Sequence, residues 1–175
     1  SGSRYSLLRT SENLNRAGKV AQVADLASGK NSAGRLFEAT GDTDAAVRYW
    51  AFTGIGNAAD TMTDAEKSEA HDLGLIGLKD ESRTVQVAAG RALCLLGKPE
   101  SALQSLAGVL RDGEQWERLH AAIVLDEIDE MARPLIAEMH RALTPRAELY
   151  ARGKYTVRVI NRALNQLENT TRTVP

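Results

Sequence analysis

Glu117 and the histidines are the side chains best suited to proton transfer or metal binding. Glu117 and His120 lie three residues apart, so on a helix they share one face. They could then share a proton, or a metal ion, with His140 on a neighbouring helix. The alternative is an ordinary solvated or hydrogen-bonded pair. The histidines, including His71, show no His-Glu-x-x-His spacing. The sequence therefore predicts no metal site and no cofactor.

Cys94 is the only cysteine and lies within an apolar run. An apolar setting raises the pKa of a thiol, so we expect Cys94 to be a buried and unreactive core residue. The sequence also lacks a Gly-x-Ser-x-Gly string and a glycine-rich phosphate loop between a strand and a helix. It therefore predicts no catalytic residue.

Arginine recurs at three of the four equivalent positions of a long repeat. The equivalent residues, spaced by 38, 32 and 40, are Arg48, Gln86, Arg118 and Arg158. One interpretation is a basic groove in which the arginines hold an anionic chain. The other is structural, with the arginines paired to aspartates on neighbouring turns, for example Asp44 or Asp80. We favour the structural interpretation.

The overall charge excludes one class of partner. The 175 residues include 22 Lys and Arg against 23 Asp and Glu, a net charge of −1. Proteins that wrap nucleic acid carry a strong basic field, so we predict no nucleic-acid partner. No apolar run approaches the roughly 18 residues of a membrane-spanning helix. The sequence therefore predicts no membrane span.

Apolar residues recur at helical spacing in four segments. Offsets of 0, 3, 4, 7, 8 and 11 give the stripe Val47, Trp50, Ala51, Gly54, Ile55 and Ala58, and the same register returns from Val85 to Leu96 and from Glu117 to Ile128. A fourth stripe runs from Val157 to Leu167. Trp50 is thus expected in the core, whereas Trp116, near a helix start, is a candidate for exposure.

A shorter companion stripe precedes each of these four segments. The companion stripes include Ala102 to Leu110, Ala132 to Leu143, Ala70 with Leu73 and Ile76, and Ala33 with Leu36 and Phe37. An extra helix is predicted around residues 20–27. Capping signals agree with these divisions: Thr63 to Glu66 fits a capping box, and Gly97 followed by Pro99 fits a helix end and a new start.

Helix pairs of roughly 40 residues are typical of HEAT or armadillo repeats, whereas tetratricopeptide repeats have a length of about 34 residues. The sequence therefore predicts an all-α fold, a right-handed α-solenoid of about four HEAT-like helix pairs plus an extra N-terminal helix. We expect residues 1–3 to be the remnant of an expression tag, residues 4–168 to form a single HEAT-repeat domain, and residues 169–175 to form a flexible tail.

Several runs resemble the HEAT-like C-terminal region of bacterial sulfatase-family proteins. They are DTDAAVRYWA at 42–51, VQVAAGRALCLLG at 85–97, and EQWERL at 114–119 with LDE at 125–127, and the resemblance covers about residues 20 to 168. The chain departs from the family pattern at Gln86 and Glu117. The sulfatase nucleophile string, Cys/Ser-x-Pro-x-Arg, does not occur around Cys94. The resemblance implies an accessory, extracytoplasmic domain of a larger hydrolase.

Three functions remain open at this point. The first is a non-catalytic interaction domain whose partner is its own catalytic domain or another protein. The second is a module that binds a sulfated glycan through Arg48, Arg118 and Arg158, and the third is a HEAT-like lyase resembling the bilin lyases. The candidate groove residues are Arg48, Gln86, Trp116, Glu117, Arg118, His120 and Arg158.

Overall fold

The structure, a computed structural model, describes residues 10–29, 33–144 and 153–173, and the predicted tag remnant at 1–3 lies outside them. These residues form α-helices and short 3₁₀ segments and contain no strand, which confirms the all-α prediction for this part of the chain. The helices are α1 (Ser11–Ser28), α2 (Ala33–Ala39), α3 (Ala45–Ala58), α4 (Asp64–Gly77), α5 (Arg83–Leu95), α6 (Pro99–Asp112), α7 (Gln115–Glu127), α8 (Ile136–Ala142) and α9 (Lys154–Glu168). Their 3₁₀ segments are Ala59–Thr61 and Asp129–Leu135.

Local sequence signals set the helix ends. The Thr63 side chain accepts from the Glu66 amide and Glu66 reaches back to the Thr63 amide, which confirms the capping box at the start of α4. Asp44 caps α3 by accepting from the Ala46 amide. Gly97 has a left-handed φ of 76° after α5, and Pro99 is the first residue of α6.

Helices α1, α3, α5, α7 and α9 form a first layer in which each helix contacts the next. A second layer packs against it: α2 lies on α3, α4 lies chiefly on α5, α6 contacts α5 and α7, and α8 contacts α9. The first layer is therefore continuous along the described chain, and each helix of the second layer packs against one or two of its members.

The predicted apolar stripes face this interlayer core. In α3, α5, α7 and α9 the stripe residues are buried, with four exceptions. Trp50, Leu96, Glu117 and His120 are only partly buried. The expectation that Trp50 is a core residue is thus met in part, because its ring packs at the edge of the core.

The companion stripe predicted on α4 is wrong in its register. Ala70 is buried, but Leu73 is half-buried and Ile76 is 69% exposed. The helix instead packs through Ala70, Gly74 and Gly77. A Cβ at Gly74 would lie 2.7 Å from a Leu93 methyl group, and one at Gly77 would lie 2.5 Å from the Phe52 ring. The close approach of α4 to the first layer therefore requires glycine at both positions.

The companion helix predicted from Ala132 to Leu143 is broken in two. A 3₁₀ segment runs over Asp129–Leu135 and only then does α8 begin. Asp129 has a φ of 49°, and Pro134 lacks the amide that a continuing α-helix would need. Ala132, Leu135, Met139 and Ala142 nevertheless reach the core, so the apolar spacing holds across the change of helix type.

Part of the predicted flexible tail, residues 169–175, hydrogen-bonds back onto α9. Asn169 ends α9 in the left-handed region with a φ of 54°. The Asn161 and Asn165 side chains each donate to the Arg172 carbonyl at 2.7 Å, and Asn165 accepts from the Arg172 amide at 3.0 Å. Residues 174–175 lie outside the described residues.

Among the residues that the structure describes, no helix has the length and apolar character needed to cross a membrane.

Candidate functional site

At three of the four repeated positions, the side chain donates a hydrogen bond to a backbone carbonyl of the segment that precedes its own helix. The contacts run from Arg48 Nη1 to the Asp42 carbonyl (2.8 Å), from Gln86 Nε2 to the Asp80 carbonyl (2.6 Å), and from Arg118 Nη1 to the Arg111 carbonyl (2.8 Å). A buried carbonyl that loses its water must find another donor, and these side chains provide one. The shared contact explains why glutamine replaces arginine at position 86, since an amide also donates.

Arg48 makes the most extensive set of these contacts. It is 9% exposed, and its guanidinium donates to both carboxylate oxygens of Asp80, at 2.7 and 2.8 Å, and to the Thr43 carbonyl at 3.1 Å. Asp80 also accepts from the Ser82 amide at 2.8 Å. Arg48 thereby fastens α3 to the turn between α4 and α5. The Arg48 to Asp80 pairing is one that the sequence predicted.

Burial alone would raise the pKa of Asp80. The hydrogen bonds from Arg48 and the Ser82 amide and the guanidinium charge outweigh it and hold this pKa below its ordinary value. Asp44, the other aspartate proposed as a partner, accepts instead from Arg16 of α1, with its Oδ2 2.5 Å from Arg16 Nε. Arg16 thus joins α1 to the start of α3.

The four repeated positions differ in their access to solvent. Arg118 is 2% exposed, Gln86 is half-buried and Arg158 is exposed on α9. The two arginines that bind backbone carbonyls, Arg48 and Arg118, are thus buried. Arg158 is the member of the set that an external anion reaches most directly.

Glu117, His120 and His140 have separate partners. Glu117 accepts from the Glu114 amide at 2.8 Å, and so belongs to a helix cap. His140 Nε2 lies 2.8 Å from a Glu168 oxygen. His120 packs edge-on against Tyr49, with ring centroids 5.6 Å apart. The hypothetical shared proton or metal site is therefore not assembled, and no group of three or more His, Cys, Asp or Glu positioned for a metal occurs among the described residues.

Two titratable groups, the partly buried His120 and the buried Cys94, are kept neutral. Burial lowers the pKa of His120, and the nearby Arg91 charge lowers it further. Burial raises the pKa of the Cys94 thiol to about 11, with a smaller contribution from Glu100. Cys94 is 1% exposed. The predicted inert thiol is in the core of the structure.

An exposed aromatic pair lies where the starts of α7 and α9 meet. Trp116 is 64% exposed and stacks on Tyr155, which is 37% exposed, with ring centroids 6.4 Å apart and planes inclined by 24°. Lys154 Nζ lies 5.6 Å from the Tyr155 ring centroid. Arg158 follows Tyr155 by one turn of α9. We call Trp116, Tyr155, Lys154 and Arg158 the aromatic patch.

No protein-family model and no curated protein matches this chain.

The aromatic patch combines flat apolar rings with cations. Large aromatic rings supply much of the binding energy at protein interfaces, and they also stack on the apolar faces of sugars. Sequence reasoning identified Trp116 and Arg158 but missed Tyr155 and Lys154. The missing signal is tertiary, because Tyr155 lies 39 residues from Trp116 and only the contact of α7 with α9 brings them together.

Proposed function

We propose that this chain is a non-catalytic interaction domain built as a HEAT-like α-solenoid. The support is that similar polar contacts recur along the first layer. Besides the repeated contacts to backbone carbonyls, Arg91 on α5 pairs with Glu127 on α7 at 2.7 Å, and Arg162 on α9 pairs with Asp126 on α7 at 2.9 Å. Both pairs span 36 residues. Stacked repeats are held by such nearest-neighbour contacts and offer extended surfaces to partners.

The observation that carries the interaction function is the aromatic patch. A tryptophan with 64% of its surface in water leaves a large apolar area uncovered, and a tyrosine stacked beside it enlarges that area. Neither ring belongs to the two buried core clusters. Covering the rings with a partner would remove their apolar area from water, which favours association.

We further propose that the partner is the catalytic domain of a bacterial sulfatase-like hydrolase carrying this domain outside the cytoplasm. This part of the proposal rests on the resemblance of residues 42–51, 85–97 and 114–119. The native gene on both sides of the present sequence tests it directly. An in-frame Cys/Ser-x-Pro-x-Arg string with aspartate metal ligands would support it, and any other neighbouring reading frame would argue for a different partner.

Hydrogen exchange tests the interaction function. Amide exchange is measured in the chain alone and in the same chain when it is part of its native gene product. If the native product binds another protein, the exchange is also measured in that complex. We expect added protection of the amides near residues 115–119 and 154–158, because a docked partner excludes water there. Substitution of both Trp116 and Tyr155 by alanine should abolish that protection. Equal exchange in the two states at these segments would contradict docking through the aromatic patch.

Binding of a sulfated glycan is a second candidate, favoured by the cations of the aromatic patch. Lys154 and Arg158 flank rings on which a sugar can stack, whereas Arg48 and Arg118 are buried. A heparin oligosaccharide and its desulfated counterpart are suitable probes in calorimetry. We expect binding of the sulfated form to weaken with added salt and to be lost in Lys154→Ala/Arg158→Ala, while Lys19→Ala on α1 leaves it unchanged. Equal binding of both oligosaccharides would exclude an anion-directed site.

A further inference from the structure

A groove runs between α2 and α4 in the second layer. It consists of two adjoining depressions that share Leu73 in their walls. Phe37 contributes to one depression, and Phe52 and Ile76 contribute to the other. Ile76 is 69% exposed, the highest value among the large apolar side chains that the structure describes.

The packing of α4 accounts for this apolar surface. Gly74 and Gly77 lie against the first layer, so the larger apolar residues Leu73 and Ile76 are turned toward the groove. They lie three residues apart, which places them one turn apart on the same helix face. Ile76 is therefore a large apolar residue that the core does not bury.

Charge is distributed unevenly along the groove. Glu38, Glu66 and Glu69 line the depression beside Phe37, and Lys79 lines the opposite one. Hydrogen bonds from the Thr63 amide and hydroxyl hold the pKa of Glu66 below its ordinary value, so Glu66 is an anion at neutral pH. Asp80, at the far end, is paired with Arg48. One end of the groove therefore carries three carboxylates around an apolar floor.

We propose that this groove binds an amphipathic helix of a partner protein, with apolar residues on Leu73 and Ile76 and lysines or arginines facing Glu38, Glu66 and Glu69. The inference rests on the proposed interaction function, for which it names a second surface and the chemistry of its ligand. A helix fits because two neighbouring helices form the walls, and amphipathic helices bind such grooves through apolar anchors one turn apart. The carboxylates fix the direction of the helix, since only its cationic end matches them.

The probe is a fluorescein-labelled Leu-Lys-Ala peptide of about 15 residues, with leucines at positions i, i+3, i+4 and i+7 and lysines in the last turn. Its anisotropy is measured with the full chain. We expect Ile76→Ser to weaken binding about tenfold or more, because an apolar anchor is lost. We expect Glu38→Gln/Glu69→Gln to weaken it several-fold at low salt and to have little effect at about 0.5 M salt.

Matched controls distinguish binding in the groove from nonspecific binding. Ile123→Ser removes an exposed isoleucine from α7, and Glu12→Gln/Glu100→Gln removes two exposed carboxylates elsewhere. Neither control should change peptide binding. Ile76→Ala, with circular dichroism and thermal melting, is a second variant in case the serine variant folds poorly.

Several results would overturn the proposal. One is that the peptide binds equally well to wild type and to both Ile76 variants. Another is that a peptide with glutamate in place of lysine binds as well as the lysine peptide. A third is that the lysine peptide does not bind to wild type at all. Sedimentation that shows a dimer lost in Ile76→Ser would assign the groove to a second copy of this chain. If the peptide does not bind while the native partner still protects residues 115–119 from hydrogen exchange, the groove is not a helix-binding site but the proposed interaction function remains supported.

Discussion

Replacing Arg48 with methionine tests the repeated contact that ties α3, α5 and α7 each to the segment that precedes it. Methionine has a similar length but neither charge nor donors, so the substitution leaves Asp80 without its guanidinium partner. The Asp80 side chain is only 10% exposed, so water compensates it poorly. The Asp42 and Thr43 carbonyls also lose their donor, because both are bound by Arg48 Nη1.

Breaking a buried ion pair by removing one partner costs about 3 to 5 kcal/mol. In a chain of this length about 1 kcal/mol of unfolding free energy corresponds to roughly 2 to 4 °C in Tm. We therefore expect Arg48→Met to lower Tm by about 6 to 20 °C at pH 7. The pKa of Asp80 is lowered in the folded state, so the pair stabilises the fold above the ordinary aspartate pKa and this contribution is lost as pH falls through the folded value. The difference in Tm between wild type and variant should accordingly shrink below about pH 4.

Differential scanning calorimetry across pH measures both effects. Arg133→Met is the matched control, because Arg133 pairs with Glu130 on the surface and its loss should leave Tm near the wild-type value. Arg48→Met/Asp80→Asn should regain part of the lost stability, since no buried charge is left unpaired. A wild-type Tm for Arg48→Met, or a deficit that is constant from pH 7 to pH 3, would refute the assigned role of the pair.

Three further predictions concern the core and the two tryptophans. Leu93→Ala should lower the free energy of unfolding, measured in urea, by about 2 to 5 kcal/mol. Trp50→Ala should lower it by less than the same substitution at a fully buried tryptophan, because Trp50 is partly exposed. Negligible effects of both substitutions would refute the proposed core. Cys94 should react with a thiol reagent only on unfolding, and fast labelling of the native chain would disagree with its burial and raised pKa of about 11. Trp116→Phe should remove the tryptophan emission that acrylamide quenches most readily, and unchanged quenching would show that Trp116 is covered.

The parts of the fold that the sequence predicts well are those decided by neighbouring residues. Capping at Thr63, the turn at Gly97 and the start at Pro99 need only a few adjacent positions, so composition and order determine them. The apolar stripes of α3 and α5 were also predictable, because each repeats over three turns of helix.

The orientation of α4 was not predictable from its apolar residues. Counting Leu73 and Ile76 as core assumes that large side chains face inward, but here the glycines at 74 and 77 do so. Glycine carries no hydrophobic signal, and its value lies in the space that it leaves for Leu93 and Phe52. That value depends on what lies opposite, which only the folded structure reveals.

The candidate site was predicted in part for a similar reason. The recurrence of Arg48 and Arg118 was visible in the sequence, and the structural interpretation named Asp80 as a partner. The backbone carbonyls that they bind have no sequence signature, so the role shared with Gln86 could not be recognised. Tyr155 likewise has no nearby motif that links it to Trp116.

Helix α5 belongs to both hydrophobic clusters. Val85, Ala88, Ala89 and Ala92 lie in the cluster shared with α3, whereas Val87, Leu93 and Cys94 lie in the cluster shared with α6 and α7. A chain divided on either side of α5 would leave one piece with an open apolar face. Two such pieces, expressed separately, would have a strong drive to recombine, so α5 makes this chain a candidate for a split reporter whose signal depends on reassembly.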